Sequence, residues 1–560
     1  VYRRYTVNEN AGDGEYKYVI NEEWLKRYKE VVDWAVDDGF TVMINIHHDS
    51  WIWLKNWNGD KTSEEYRMYS DFWKQMAEYF KDEPEQVCFE TINEPQFTDD
   101  GIGTAQDKLD IINQTAYDII RGVEENKERM IVMPSMYTKI DEAETDALYT
   151  MIKGLNDPNV IATVHYYCEW VYSANLGKTG FDEALWDDYS PRKAVETMMS
   201  RLKTTFIDNG IGVIVGEYGL LGYDTSEGCL QEGEEMKYYE DMNYLAGENG
   251  VCLMFWDNGS GIDRNTAGHP WKKQVVGKLL EASMKGRSSY ATDLDTIYFT
   301  KEVTENVEIP LTLNGNTFTG IEGLTQDQDY TYDDETKTVV LKKDFVNQCL
   351  KSAASNGQVK ELIMHFGGGA DWHQYLVKCE TPEVESADGG RQGITVPLKF
   401  NGDRVRRIMT YEKNGKVGPN SDWWNYLKYD EAFVVDTQNE TITFTSVLFG
   451  DSSVKDGIMK AKVEFYSGAS VDIWFNIQGD KVTSSAEYAQ GVESIQPANL
   501  ICLYAGETEI PEQYLNLPDG ATVYGTYCND SEMMQLNGWP ASMTFDTKSH
   551  EEFTQAGIQI

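Results

Sequence analysis

Six short apolar runs, Thr41–Ile46, Val87–Ile92, Met130–Met133, Val160–Val164, Ile211–Val215 and Val251–Phe255, alternate with helix-like segments through the first half of the chain. Runs of this length that are apolar on both parities suit strands covered on both faces, and a helix between each pair makes successive strands parallel. The ends of the runs are unusual. They close in His47-His48-Asp49, Asn93-Glu94-Pro95, His165-Tyr166-Tyr167, Glu217-Tyr218-Gly219 and Trp256-Asp257-Asn258-Gly259. A strand that spends its last positions on amides, carboxylates and aromatic rings is placing polar groups at a strand mouth, where barrel enzymes keep their chemistry. The pattern predicts an α/β fold, a (β/α)8 TIM barrel. A closed barrel of that type takes eight strands, so the six visible here imply that the first two are lacking in this chain.

Local signals agree with that alternation. Asn21 is placed to cap a helix whose apolar face is Trp24, Tyr28, Val31, Val32 and Ala35, and Thr62 with Glu65 reads as a capping box. After Lys285-Gly286-Arg287-Ser288-Ser289 the chain turns all-β. Asn314-Gly315 suits a tight turn, predicting a hairpin of Val307–Leu313 with Asn316–Thr319. A second break falls at Ser386-Ala387-Asp388-Gly389-Gly390, followed by sandwich-like strands at Gly393–Phe400, Thr441–Leu448, Lys460–Tyr466 and Val471–Ile477. The expected domains are a barrel over 1–286, a β-sandwich over 290–385, a second over 390–486, and a β-rich segment of unassigned role over 487–560, so that two or three sandwich modules follow the barrel.

Charge narrows the partners. With 93 acidic and 49 basic residues the net charge is -44, which repels nucleic acid and anionic lipid and favours a neutral partner. The eight cysteines are scattered without a C-x-x-C pair, against a disulfide framework or structural zinc. His47-His48-Asp49 lacks a third metal ligand nearby, so neither metal nor cofactor is expected. No apolar run reaches membrane-spanning length. The chain has no initial Met and no signal peptide, which is read as a missing N-terminus.

Two carboxylates delivered by two strand ends are what glycosidic-bond hydrolysis requires: one attacks the anomeric carbon, the other protonates the leaving oxygen. Glu94 follows Asn93, whose amide suits a sugar 2-hydroxyl, so Glu94 is the acid/base candidate and Glu217 the nucleophile. Either glutamate alone is as well explained by pairing with a base or capping a helix; the coincidence of both argues for chemistry. His47, His48 and His165 are candidates for positioning hydroxyls or carboxylates. Tyr167, two residues past His165 on the same side, is placed to bond Glu217. Trp256 is the candidate sugar platform, with Trp51 and Trp170 lining neighbouring subsites.

Taken together, the stretches Ile44–Asp49, Phe89–Pro95, Val164–Tyr167, Gly216–Gly219 and Phe255–Gly259 resemble glycoside hydrolase family 5, specifically its bacterial endoglucanases and xyloglucanases. The order matches that family's strands three, four, six, seven and eight. The resemblance implies the roles just given for Glu94 and Glu217, with His47, His48, Asn93, His165, Tyr167 and Trp256 around the cleavage subsite. The family also carries an arginine at the end of its second strand, which Arg3 and Arg4 do not match, so the barrel as given is expected to be incomplete. Ile309–Thr317 and Gln328–Thr331 resemble the immunoglobulin-like module of bacterial cellulases. Ser421–Tyr426 and Ile473–Phe475 are similar to carbohydrate-binding module family 46, which makes Trp423, Trp424 and Trp474 candidate glucan contacts, with a core role equally open. The resulting expectation is a secreted, monomeric, retaining endo-β-1,4-glucanase acting on cellulose, mixed-linkage β-glucan or xyloglucan. Its alternatives are a mannanase or xylanase on the same barrel, or a non-catalytic polysaccharide-binding protein.

Overall fold

The computed structural model describes residues 1–12, 14–223, 229–257, 259, 261–412 and 415–487, which fall into two compact units. The first comprises Val1–Cys168, Lys193–Gly219 and Asp241–Asn258; the second comprises Glu169–Arg192, Leu220–Glu240 and the chain from Gly259 onward.

A hairpin of β1 (Tyr5–Val7) and β2 (Tyr18–Ile20) leads into α1 (Glu22–Asp37), β3 (Val42–Asn45), α2 (Asp49–Ile52), α3 (Glu64–Tyr79), β4 (Val87–Glu90) and α4 (Ala105–Arg121). Then come β5 (Ile131–Pro134), α5 (Glu142–Leu155), β6 (Val160–Tyr166), α6 (Trp170–Ser173), α7 (Pro191–Thr205), β7 (Val213–Tyr218), α8 (Glu232–Asn249), β8 (Cys252–Phe255) and α9 (Gln274–Ser283). Strands β3 to β8 form one parallel sheet in sequence order. This is the barrel sheet, six strands of it among the described residues. Its strands read as continuous apolar runs because β4 and β5 are buried at every position.

Asn21 caps α1 through its side chain, which accepts from the Trp24 amide. The capping box expected at Thr62 does not form, and the cap falls one residue later. Ser63 is the cap of α3 and accepts from the Tyr66 amide, because Thr62 is already engaged: its amide and hydroxyl both donate to Asp60.

Arg129 ties α3 to β4 from inside the protein. Its guanidinium donates to the carbonyls of Lys81, Glu83, Pro84 and Val87 and to Asn126 Oδ1 at 2.7–3.0 Å, and the residue is buried. Burial on this scale holds a cation only because every donor meets an oxygen.

In the second unit, the first sandwich has two four-stranded sheets. One runs in the order Thr296–Phe299, Trp372–Lys378, Gly357–Phe366, Phe318–Ile321; the other Tyr330–Asp333, Thr338–Leu341, Val307–Thr312, Tyr290–Ala291. The hairpin expected around Asn314-Gly315 does not form. The tight turn is present, with Asn316 N–H bonded to the Leu313 carbonyl and positive φ at Asn314 and Gly315. It carries the chain from one sheet to the other, so the flanking strands pair with different partners. A helix at Lys343–Ser352, not anticipated from the sequence, lies between strands of this module. In the second sandwich the glycine-rich stretch read as a break is itself a strand, Ala387–Gly390, paired with Lys481–Ser485. Its core gathers Ile394, Val396, Phe444, Met459, Val463 and Phe475. The segment expected to be β-rich beyond Glu487 lies outside the described residues.

Replacing Arg129 with Met leaves several buried carbonyls without donors. The expected cost is about 3 kcal/mol, read as a fall of roughly 6–12 °C in the barrel's calorimetric transition.

Candidate functional site

The polar strand ends converge within the first unit. From β3 come His47 and His48; from β4, Asn93 and Glu94; from β6, His165 and Tyr167; from β7, Glu217; from β8, Trp256. Glu94 is the only one of these with a left-handed backbone, φ 38°, a conformation that costs energy for a non-glycine residue and collects at functional sites.

The junction of β6 and β7 sets the geometry. Their register runs Val164 against Val215, then His165 against Glu217, skipping Gly216. This bulge turns Glu217 to face His165, and it depends on glycine: a Cβ at Gly216 would sit 2.8 Å from Thr163 Oγ1 and 3.2 Å from His165 Nε2. His165 Nδ1 then lies 3.0 Å from Glu94 Oε1 and 3.4 Å from Glu217 Oε2. Reaching oxygens of Glu94 and Glu217 and this nitrogen all lie within 4.8 Å of one another. Tyr167 donates its hydroxyl to Glu217 Oε2 at 2.5 Å.

Electrostatics follow from burial. Burial pushes Glu217 above the ordinary carboxylate range; His165 and the Tyr167 hydroxyl pull it back, and Glu94 adds to the rise. At His165 burial opposes the charge, but the bond to Glu94 and the charges of Glu217, Glu90 and Glu94 outweigh it, so its pKa is raised. His47 goes the other way, to about 4, through burial and the neighbouring His48. It is a neutral imidazole near neutral pH, whereas His165 holds a proton more tightly.

Aromatic groups line one side. The rings of His47 and Trp256 are parallel at 6.0 Å between centroids, and Trp51 meets His47 and His48 edge-on at 5.6 and 5.1 Å. Asn93 is buried and its Nδ2 has no hydrogen-bond partner among the described residues, leaving a donor available to a ligand hydroxyl. Among the described residues, Glu94, His165 and Glu217 are also the group whose donor atoms lie close enough to share a cation.

The site gathers His47, His48, Trp51, Asn93, Glu94, His165, Tyr167, Glu217 and Trp256. Trp170, Trp423, Trp424 and Trp474 belong to the second unit. There Trp170 is half exposed, with the Lys428 ammonium 5.2 Å above its ring. Trp424 does not face a glucan. It is buried among Val171, Ala174, Leu176 and Leu185, and its indole N–H donates to the Leu176 carbonyl at 2.8 Å. Trp423 packs partly buried at the same cluster. Trp474 stands on an outer sheet face, beneath the Lys460 ammonium at 5.5 Å.

Two residues of the site escaped the sequence reading: Glu90 and Asn45, whose side chains meet at 2.6 Å below the strand mouth. Burial carries Glu90 up to about 7, with Glu217 and Glu94 adding to the rise against His165 and Asn45. A glutamate inside the apolar run Val87-Cys88-Phe89-Glu90 was the available signal.

Tyr167→Phe removes a bond that favours ionised Glu217. The Glu217 carboxyl is expected to titrate at higher pH in the variant, measured by carbon-13 NMR of labelled glutamate.

Known proteins resemble this chain along its described length. A cellulase model, glycosyl hydrolase family 5, matches residues 2–261; carbohydrate binding domain X2 matches 293–375; and the carbohydrate binding domain CBM46 matches 380–485. The X2 match falls on the module expected to be immunoglobulin-like. Endoglucanase B of Paenibacillus lautus is 32% identical over 478 residues, spanning 84% of this chain and 82% of that protein. The solved tri-modular endo-β-1,4-glucanase B of Bacillus halodurans is 31% identical with a TM-score of 0.77, covering 86% of this chain and 90% of the other. A tri-modular family 5, subfamily 4 endo-β-1,4-glucanase of Bacillus licheniformis is 25% identical with a TM-score of 0.69, covering 83% and 88%.

Proposed function

The chain belongs to glycosyl hydrolase family 5 and is an endoglucanase; within that activity we propose that Glu217 is the nucleophile and Glu94 the acid/base of a retaining double displacement. The observation that carries this reading is the approach of the two carboxylates to within 4.8 Å. Carboxyl groups of retaining glycosidases stand about 5–5.5 Å apart and those of inverting ones about 6.5–9.5 Å, so this close an approach of the oxygens favours direct attack on the sugar.

In the first step a Glu217 oxygen bonds to the anomeric carbon as the glycosidic C–O bond breaks, and Glu94 gives its proton to the departing oxygen. In the second, Glu94 takes a proton from water, whose oxygen displaces Glu217 and restores the β-configuration. Tyr167 and His165 hold Glu217 ionised and oriented. The neutral His47 and Trp256 form one wall of the cleavage subsite, with His48 and Trp51 beside it, and the Asn93 amide meets the 2-hydroxyl. Because Glu217 is raised by burial, activity falls as pH drops through its pKa, above the usual glutamate range.

The substrates are cellulose, mixed-linkage β-glucan or xyloglucan, and Trp170, Trp423 and Trp474 make further sugar contacts. A polymer of that size stays outside cells, which supports a secreted enzyme, and we take it to act as a monomer. No described helix is long and apolar enough to cross a membrane. Mannanase and xylanase activities are the rivals on the same strand ends, and a panel of the five polysaccharides separates them. A purely binding protein is disfavoured by the paired carboxylates.

Glu217→Ala and Glu94→Ala are each expected to lower kcat by about 100- to 10,000-fold. With an activated cellobioside, azide restores turnover in both variants but yields the α-glycosyl azide from Glu217→Ala and the β-product from Glu94→Ala. The same anomer from both, or undiminished turnover, overturns the assignment. In the second unit, Trp474→Ala weakens retention on insoluble glucan without altering the melting temperature. Trp424→Ala instead destabilises its module by about 3 kcal/mol or more, followed by calorimetry.

A further inference from the structure

Beneath the strand mouth, the amide of Asn45 stands between two groups. Its Nδ2 donates to Glu90 Oε2 at 2.6 Å and lies 3.4 Å from His47 Nδ1. An amide nitrogen carries two protons and no acceptor site, so with one proton on Glu90 the other points to His47 Nδ1. That nitrogen must then be the unprotonated one, and the neutral imidazole carries its proton on Nε2. The Nε2 atom faces Glu217 Oε1 at 3.9 Å.

We infer that Glu90 and Asn45 are positioning residues that hold His47 in the Nε2–H tautomer, so that the ring presents a donor, and never a lone pair, to the Glu217 carboxylate. The inference rests on Glu217 being the nucleophile. Several observations support it. Asn45 and Glu90 are paired in register on β3 and β4, so the amide and carboxyl are locked by the sheet. Glu90 is buried, and among the described residues its second oxygen Oε1 has no hydrogen-bond partner, so the Asn45 bond is what orients it there. The His47 ring is clamped between Trp256, parallel at 6.0 Å, and the edges of His48 and Trp51. With the ring oriented in this way, the proton position on its two nitrogens is what remains to be set. A carboxyl with no role in this chain would be a costly thing to bury here.

The tautomer is read directly from nitrogen-15 NMR of the histidine rings in the full chain. Wild type is expected to show His47 protonated on Nε2. Asn45→Asp puts an acceptor opposite Nδ1, so the proton is expected to move to Nδ1. kcat then drops about 10- to 100-fold while KM stays within about 3-fold, as expected when ground-state binding is retained. Glu90→Leu frees the Asn45 amide and is expected to lower kcat in the same direction; Glu90→Gln, which keeps an acceptor for Asn45, recovers most of that loss. Wild-type His47 protonated on Nδ1 overturns the inference without any variant, as does a tautomer that moves in Asn45→Asp with kcat unchanged. Mass-spectrometric mapping of a 2-fluoro-cellobioside adduct separates the two layers. An adduct away from Glu217 defeats the nucleophile reading, whereas the NMR result stands or falls on its own.

Discussion

Glu217 is a carboxylate held almost out of water, and the arrangement of the site follows from what makes that tolerable. Its side chain is 9% exposed. A lone buried carboxylate would simply take up a proton. Here His165 lies on one side of it, a tyrosine hydroxyl bonds the same oxygen, and His47 faces the other. The His165 contact exists because β6 and β7 slip by one residue at Gly216. A backbone irregularity therefore decides the charge state of a side chain. Without the slip, period-two alternation would put residue 216 opposite His165 and turn Glu217 toward the other face.

Much of this could be read from the sequence, for a definite reason. Parallel strands covered on both faces leave unbroken apolar runs, and polar residues at their ends stand out against them. The same physics hid Glu90. It lies within a run rather than at its end, and a single glutamate among Val87, Cys88 and Phe89 passes for an imperfection. The Gly216 bulge was equally silent, since a glycine before a strand-end glutamate does not announce a register shift. Turn chemistry proved local: Asn314-Gly315 makes the turn it promises, but which strands it joins is decided by sheet pairing far away in sequence. The two adjacent tryptophans at 423 and 424 pose the same problem. Composition marks them as contact residues, and only packing separates a buried Trp424 from a partly exposed neighbour.

The acidic composition also changes meaning once the structure is known. A net charge of -44 suggests a solvated acidic surface, yet part of the acid is buried in α8. Glu234, Glu235 and Glu240 are all under 4% exposed. Each has a cation from its own unit: Lys237 at 2.6 Å, Lys273 at 2.7 Å and Arg287 at 2.6 Å. Lys237 also donates to the carbonyls of Thr292 and Asp293. Such pairs add little net stability over an apolar core, but removing one partner is expensive because it strands the other. They make the fit of this helix selective: only the arrangement that brings all three cations into place avoids an unpaired buried charge. α8, rich in acid, is thus largely an interior helix, with these buried carboxylates paired and Met236, Tyr238 and Met242 buried beside them.

The strand-end site and the proposed sugar-contacting tryptophans Trp170, Trp423 and Trp474 lie in different units of this chain. The carboxylates proposed for cleavage sit on strand ends, where sheet register fixes which face each side chain takes. The proposed sugar-contacting tryptophan Trp170 belongs to a segment that folds with the second unit. A strand end tolerates almost no change, since moving Glu217 by one position would turn it to the opposite face. The Glu169–Arg192 segment is anchored by side-chain packing and a few bonds, such as that of Trp424 to the Leu176 carbonyl, and can be rebuilt without disturbing the carboxylates. This is why the strand ends are informative about the reaction and say little about the sugar.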